Sequence, residues 1–289
     1  MFDAVVTGSN GFIGTRLVKR LGAAGLKVHA QSSVNGDITS AQTWEAVPPA
    51  KVLFHLAGKS YVPESWRDSA SFLNANVVGV EQALTYCRRV GARMVMASAY
   101  VYGIPQSLPI REDDLAKPNN PYALSKWIAE ELGRFSSTYH RVPITALRIF
   151  NVFGRGQRQE FLIPSIIAQL REAGTIHVQD LVPRRDYIHV EDVVNAMILS
   201  ADQSSGFRLL NIGSSTSLSV AEVIATIQRA AGTSLPVTSA KATRNNEIPV
   251  VCADITAASK ELGWKPKISF EVGIREVLFG EPVIEEFIT

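Results

Sequence analysis

Val5-Val6-Thr7-Gly8-Ser9-Asn10-Gly11-Phe12-Ile13-Gly14 is the stretch that decides the fold. Residues 2–7 are a short apolar run that stops at glycine, the pattern of a buried strand. Residues 12–21 then set Phe12, Ile13, Leu17, Val18 and Leu21 along one helix face, and Gly22 and Gly25 end that helix. Glycine is needed where backbone turns sharply from strand to helix and approaches a pyrophosphate closely. The helix N-terminus offers free N–H groups and partial positive charge to the phosphates. A glycine trio alone is weak. Here it follows a strand and opens a helix, which is the context a dinucleotide-binding turn requires.

Working outward, residues 26–30, 51–55, 93–97 and 144–150 read as further strands. A short helix near Ala41 and long helices over 74–89 and 121–139 lie between them. The first long helix aligns Val77, Val80, Leu84 and Cys87. The second opens on Pro121, where a missing N–H costs little. Strand and helix alternate, so the expected fold is α/β: a doubly wound parallel sheet with right-handed crossovers and helices on both faces. After Gly154 loops lengthen, Pro and Gly recur, and shorter elements fall at 193–199 and 220–230. The expected division is a dinucleotide-binding domain over 1–153 and a small C-terminal α/β lobe over 154–289. Some segments of the second part return to the main sheet, and the lobe covers a substrate at the carboxyl ends of the strands.

The 289 residues suffice for one large α/β domain or two small ones, and 46% are apolar, enough for a sizeable core. A net charge of +2 without blocks of like charge argues against nucleic acid or a membrane surface as the main partner. Cys87 and Cys252 lie far apart, as free thiols of a reducing compartment do. No secretory signal is visible ahead of the first strand, so the expected location is cytoplasmic. No apolar run is long enough to span a bilayer. His29, His140 and His177 lack ligand spacing, and no metal is expected.

Tyr122 and Lys126 in Tyr122-Ala123-Leu124-Ser125-Lys126 are four apart on a helix and share a face. A free phenol titrates near pH 10 and is a poor base at neutrality. A nearby ammonium and an oxidised nicotinamide both favour the phenolate. Such a pair also occurs on solvated helix faces. Pro121 and Ser125 around it, placed after the 93–97 strand, favour hydride chemistry on an alcohol or ketone.

The Gly-x-x-Gly-x-x-Gly spacing, with Thr7 before it and the Tyr122/Lys126 pair downstream, resembles the extended short-chain dehydrogenase/reductase family, in particular its nucleotide-sugar epimerases and dehydratases. The resemblance runs over almost the whole chain and implies a Rossmann fold. It implies Gly8, Gly11, Phe12, Ile13 and Gly14 at the cofactor pyrophosphate, and Leu56, Ala57 and Gly58 along pyrophosphate and ribose. It implies Asp37 and Ile38 at the adenine, and Tyr122 and Lys126 at the nicotinamide end, with Lys126 holding the ribose. Ser32 stands in the region where an acid would bind the adenosine ribose. The missing carboxylate permits a 2′-phosphate, which Arg16 would approach unless it is a surface residue of its helix. NAD is the family default, and NADP stays open.

On the substrate side, Ser98 in Ala97-Ser98-Ala99-Tyr100-Val101-Tyr102-Gly103 resembles the serine or threonine that bonds the reacting sugar oxygen. Ser60 falls in a sugar-facing loop. Asn151 falls in the segment that reaches the substrate diphosphate, where Arg155 replaces the usual proline. Arg185, in Arg184-Arg185-Asp186-Tyr187-Ile188-His189-Val190, and Arg244 resemble two diphosphate clamps. Asn76 reads as structural and His189 as a packed, hydrogen-bonded histidine. Ala99 and Tyr100 occupy the positions where 4,6-dehydratases carry acids, which argues against dehydration. The implied activity is 4-epimerisation of a nucleoside-diphosphate sugar with bound NAD, with Ser98, Tyr122 and Lys126 catalytic. The alternative is an NAD(P)H-dependent reductase of a nucleotide-linked 4-keto-6-deoxy sugar, with Tyr122 as the acid. A non-catalytic cofactor sensor is a third reading, disfavoured by the intact Ser98, Tyr122 and Lys126 set. The two long helices resemble those that pair in family homodimers.

Overall fold

The structure is a computed structural model that describes residues 1–172, 174–202, 205–241 and 247–281. Its first half runs β1 (Phe2–Thr7), α1 (Phe12–Ala23), β2 (Val28–Gln31), α2 (Ala41–Ala46), β3 (Ala50–His55), α3 (Val62–Arg67), α4 (Ser69–Leu73), a π-helical turn (Asn74–Val78), α5 (Gly79–Val90), β4 (Arg93–Ala99), α6 (Pro121–His140) and β5 (Ile144–Ile149). The second half runs β6 (Asn151–Phe153), α7 (Leu162–Glu172), β7 (Ile176–Val178), β8 (Arg184–His189), α8 (Val190–Leu199), β9 (Phe207–Ile212), β10 (Ser217–Ser219), α9 (Val220–Ala231), β11 (Val237–Ser239), α10 (Thr256–Leu262) and α11 (Phe270–Phe279).

The main sheet has six parallel strands in the order β2-β1-β3-β4-β5-β9. Side chains of a strand alternate between faces, so both faces of these apolar strands need cover. On one face Val6, Phe54, Val95, Leu147 and Leu210 pack against Leu17 and Leu21 of α1 and Val193, Val194 and Met197 of α8. On the other, Val5, Leu53, Met94, Met96 and Ala146 meet Trp44 of α2, Leu84 of α5 and Ala129 of α6. The doubly wound architecture is therefore as expected. A three-stranded sheet, β10-β8-β6, and the β11-β7 pair carry the remaining strands. They pack with α7, α9 and α11 around Phe153, Ile166, Tyr187, Val223 and Ile274.

Three local readings change. Gly22 lies inside the last turn of α1, and it is Gly25, at φ +78°, that carries the left-handed turn beyond it. The second strand begins at Val28, two residues later than expected. The helix read over 74–89 is part of a longer helical run from Ser69 to Val90, with the π turn at its middle. The π turn puts i→i+5 bonds between the two α-helical stretches, an insertion that an i, i+3, i+4 reading of the sequence does not register.

The small sheet is pinned by Asp186, fully buried in β8. Its carboxylate accepts N–H bonds from Ser214 at 2.6 Å, Ser215 at 3.0 Å and Ala253 at 3.0 Å, and a hydroxyl bond from Ser214 at 2.7 Å. Those donors come from the chain just after β9 and from the segment before α10. Among the described residues no helix is long and apolar enough to cross a membrane.

Candidate active site

The site is built from the carboxyl ends of β1, β3 and β4 and the start of α6. Thr7 closes β1. Its hydroxyl accepts the N–H groups of Leu56 and Ala57 at 3.2 and 3.3 Å, so its own proton points to His55 Nδ1 at 3.0 Å. The protein assigns His55 the Nε2–H tautomer by this arrangement. Burial, with the Lys126 charge adding, holds its pKa down to about 3. A neutral imidazole thus ties the first turn to the loop after β3.

The glycine turn has no room for side chains. Gly8 adopts φ +66°, and a Cβ there would lie 2.9 Å from the Ala57 nitrogen. At Gly14 a Cβ would lie 2.1 Å from the Gly8 carbonyl oxygen. Gly11 is the exposed N-cap of α1 and offers no side chain to its first N–H groups. Bare helix-start donors beside a close-packed backbone cradle fit a dinucleotide pyrophosphate. Phe12 and Ile13 follow in the first turn of α1, partly buried.

The cradle continues into the loop after β3, where Leu56 and Ala57 are half-buried and Gly58 is exposed. A Cβ on Gly58, at φ +156°, would lie 2.4 Å from Asn76 Oδ1 and 3.8 Å from Lys126 Nζ. Asn76 sits in the π turn, buried. It accepts the Lys59 N–H at 2.9 Å and donates to the Lys59 carbonyl at 3.0 Å and to Ser125 Oγ at 2.8 Å. Asn76 therefore joins the glycine loop to the Tyr122–Lys126 turn of α6. The sequence offered its helix position but not this linkage.

Lys126 is buried, and its ammonium donates to the Ala97 carbonyl at 2.8 Å. Burial lowers its pKa to about 8, opposed by the Glu130 carboxylate. The ring of Phe72 stands edge-on to Tyr122, 6.3 Å between centroids. The Tyr122 hydroxyl makes no hydrogen bond to any described residue, and burial pushes its pKa above the usual phenol value.

Ser98, near the end of β4, is buried and donates to the Glu130 carboxylate rather than to Tyr122. Glu130 in turn pairs with Arg148 of β5, at 2.7 Å to Nη2 and 3.0 Å to Nε. Ala99 is buried and the Tyr100 hydroxyl donates to the Gly103 carbonyl at 2.6 Å, so neither presents an acid.

At the adenosine end, Ser32 donates through N and Oγ to Asn35 Oδ1, at 3.1 and 3.2 Å, and closes a local turn. Asp37 is exposed and accepts the Thr39 N–H at 2.9 Å, while the Ile38 carbonyl accepts from Trp44 Nε1 at 2.7 Å. Arg16 lies on α1. It pairs with Glu191 of α8 at 3.2 Å and donates to the carbonyls of Phe12 and Arg155.

Opposite, Asn151 opens β6, and its side chain makes no hydrogen bond to the described residues. Arg185 of β8 donates to the Ile248 carbonyl at 2.6 Å and to the Glu247 carboxylate. Its charge also acts on the phenol of Tyr100. Arg244 lies outside the described residues. Ser60 is exposed, and next to it Tyr61 meets Phe161 edge-on at 5.8 Å. His189 is buried, accepts the Glu191 N–H at 3.4 Å and lies 3.5 Å from Glu276. Among the described residues no cluster of three or more ligating side chains could hold a metal.

A glycine cradle at the end of the first strand of a doubly wound sheet defines this chain as a dinucleotide-binding α/β protein. The chain belongs to the NAD dependent epimerase/dehydratase family, whose model matches residues 4–213. It is 30% identical to the GDP-6-deoxy-D-mannose reductase of Pseudomonas aeruginosa, over 94% of this chain and 95% of that protein. It is 31% identical to the UDP-glucose 4-epimerase of Azospirillum brasilense, over 98% of this chain and 92% of that one. Among solved structures it resembles MoeE5 in complex with UDP-glucose and NAD, with a TM-score of 0.87, 30% identity and coverage of 96% and 97% of the two chains. It also resembles RMD from Pseudomonas aeruginosa complexed with NADPH, with a TM-score of 0.88, 29% identity and coverage of 96% and 98%.

Proposed function

We propose that this protein is a nucleotide-sugar 4-epimerase. The observation that supports the reading is the α6 turn of Tyr122 to Lys126: Ser125 is bonded to Asn76, which holds the glycine loop, Lys126 reaches the Ala97 carbonyl, and the Tyr122 hydroxyl has no hydrogen bond among the described residues. Gly8, Gly11, Phe12, Ile13, Gly14, Leu56, Ala57 and Gly58 would hold the dinucleotide, with Ser32, Asp37 and Ile38 at its adenosine end. The nicotinamide, when bound, supplies a reversible hydride acceptor and the positive charge that favours a phenolate. Lys126 would hold the nicotinamide ribose. Tyr122 Oη would take the proton of the sugar 4-hydroxyl and return it once the 4-keto sugar has presented its other face. Ser98 would bond the same sugar oxygen. Asn151, Arg185 and Arg244 would keep the diphosphate anchored while the sugar turns, and Ser60 would face the sugar. In that state Arg185 would exchange the Glu247 carboxylate for phosphate oxygens, a guanidinium fork suiting both.

The second reading, a reductase of a nucleotide-linked 4-keto-6-deoxy sugar, is favoured by one observation. The chain is similar to a GDP-6-deoxy-D-mannose reductase over nearly its whole length, and a phenol protonated at neutral pH, as Tyr122 is, can serve as the acid. The two separate in one experiment. Purified protein is passed through gel filtration, its bound dinucleotide is identified, and it is assayed with UDP- and GDP-sugars by NMR. Retained NAD and interconversion of C4 epimers support the epimerase. Exchangeable cofactor and oxidation of NADPH by a 4-keto sugar nucleotide support the reductase. A homodimer through α5 and α6 is part of this reading. The exposed rings of Phe135 and Tyr139, 4.7 Å apart, lie on α6. If that face is the dimer interface, Phe135→Lys converts the dimer mass in light scattering to a monomer mass.

A further inference from the structure

Tyr122 carries the proton step assigned above, yet among the described residues nothing hydrogen-bonds its hydroxyl. The direction of that phenol is therefore set by what packs against its ring. The ring of Phe72, on α4 just before the π turn, stands edge-on to it, with 6.3 Å between centroids and 77° between planes. At that spacing the positive edge of one ring is drawn to the negative face of the other. Phe72 is fully buried and is itself held from the loop after β3. There Lys59 sets its ammonium 5.4 Å from the centroid of the Phe72 ring. The same ammonium donates to Glu64 Oε1 of α3 and to Ser71 Oγ of α4, each at 2.9 Å. The Lys59 backbone is fixed too, since its N–H and its carbonyl both bond the Asn76 side chain.

We propose that Phe72 is a positioning residue for the Tyr122 phenol and that Lys59 locks it there. The proposal rests on the proton-transfer role given to Tyr122 above. A tyrosine oxygen lies on the long axis of its ring, so χ1 decides where the oxygen stands and χ2 decides the plane in which its proton leaves. χ2 is a broad torsion that the helix backbone leaves open. A buried ring packed against the phenol restricts both torsions without a hydrogen bond, and so leaves the hydroxyl free for a substrate. A half-buried ammonium one residue before Ser60 would also suit an anionic group of the substrate. Two of its three N–H donors are spent on Glu64 and Ser71, however, and the Phe72 ring lies beside it. The loop that carries Lys59 also carries Gly58 of the cofactor cradle, so the lock keeps cradle and phenol in one register.

The first test reads the ring without turnover. Protein with ring-labelled tyrosine is followed by carbon NMR, and Tyr122→Phe identifies the Tyr122 signals. Phe72→Leu keeps an apolar side chain but loses the ring edge, and should speed the flipping of the Tyr122 ring about tenfold, as the loss of an edge contact allows. Lys59→Met keeps the stem and drops the charge, and should move the flip rate the same way by less. In turnover, Phe72→Leu should lower kcat about 10- to 100-fold and hold KM for the sugar nucleotide within about twofold, the pattern of a reacting group moved out of line. Added to Tyr122→Phe, it should cost the residual rate nothing more, because its effect passes through the hydroxyl. A mere core defect would add its loss in both backgrounds. Should Phe72→Leu not fold, Lys59→Met carries the test with the same two readouts. An unchanged flip rate or an undiminished kcat in a folded Phe72→Leu overturns the positioning role. A raised KM with kcat unchanged in Lys59→Met makes Lys59 an anion ligand and overturns the lock. Full turnover in Tyr122→Phe with a freed ring in Phe72→Leu leaves the Phe72–Tyr122 contact intact and removes only the assigned reaction.

Discussion

Gly14→Ala and Gly22→Ala make the same chemical change twice in one helix and should move stability in opposite directions. At Gly14 the new Cβ would sit 2.1 Å from the Gly8 carbonyl oxygen, 2.9 Å from the Gly8 carbonyl carbon and 3.0 Å from Ser9 Cα. All three are backbone atoms of the turn, so no side-chain rotation relieves the clash. Either α1 or the turn must shift. Overpacking of this kind costs about 1–3 kcal/mol, and a backbone obstacle places Gly14→Ala near the upper end. In a protein of this size that is a fall in Tm of roughly 5–10 °C. At Gly22 nothing lies within 4 Å, and the residue is helical. Alanine there should add about 0.5–1 kcal/mol. Differential scanning fluorimetry of both variants, with NAD and NADP titrated in parallel, reads stability and cofactor binding together. A ligand at a hundredfold excess over its Kd stabilises by about 2.7 kcal/mol, so the wild-type shift is easily seen. Gly14→Ala should lose that shift because the displaced turn no longer presents its N–H groups, and Gly22→Ala should keep it. Equal stability changes for the two variants, or an undiminished cofactor shift in Gly14→Ala, would refute the cradle.

Tyr122→Phe keeps the ring against Phe72 and removes only the hydroxyl. Turnover should fall about 10²–10⁴-fold while cofactor-induced stabilisation persists, and a smaller loss would remove Tyr122 from acid–base work. His55 titrates near 6.5 when unfolded and about 3 when folded, so the unfolded chain takes up its proton first as pH falls, and stability drains between pH 6.5 and 3. By pH 5 this amounts to about 2 kcal/mol, and urea unfolding of His55→Asn should lack that share of the pH dependence. Asp186→Asn places an amide NH₂ against donors that now bond a carboxylate. A loss of about 3 kcal/mol in urea unfolding is expected, with the effect felt where Ser214 and Ala253 meet the small sheet.

The first strand, its turn and α1 were legible because the apolar period changes from two to helical across Gly8 to Gly14, and both signals are local. The parallel sheet followed from repeating that switch down the chain. What stayed hidden joins residues far apart in sequence. Asp186 stood in the sequence only as part of the segment around Arg185, and its partners Ser214 and Ala253 lie 28 and 67 residues on. Ser98 was legible as a strand-end hydroxyl, yet its partner Glu130 lies 32 residues away and looks like any helical glutamate. Arg16 was weighed as a 2′-phosphate ligand or a surface residue of its helix, and its partner Glu191, brought over by α8, could not be read from the sequence.

β9 completes the sheet from the far side of the second region, because it is joined to β5 through β6, α7, β7, β8 and α8. While the ribosome is still making those segments, β5, with all six residues destined for burial, hangs as an unpaired margin. Such a margin invites any passing extended chain to add itself. The N-terminal half expressed alone would therefore aggregate, and a protease cut between β5 and β9 would tear the nucleotide-binding half open as surely as it would free the rest.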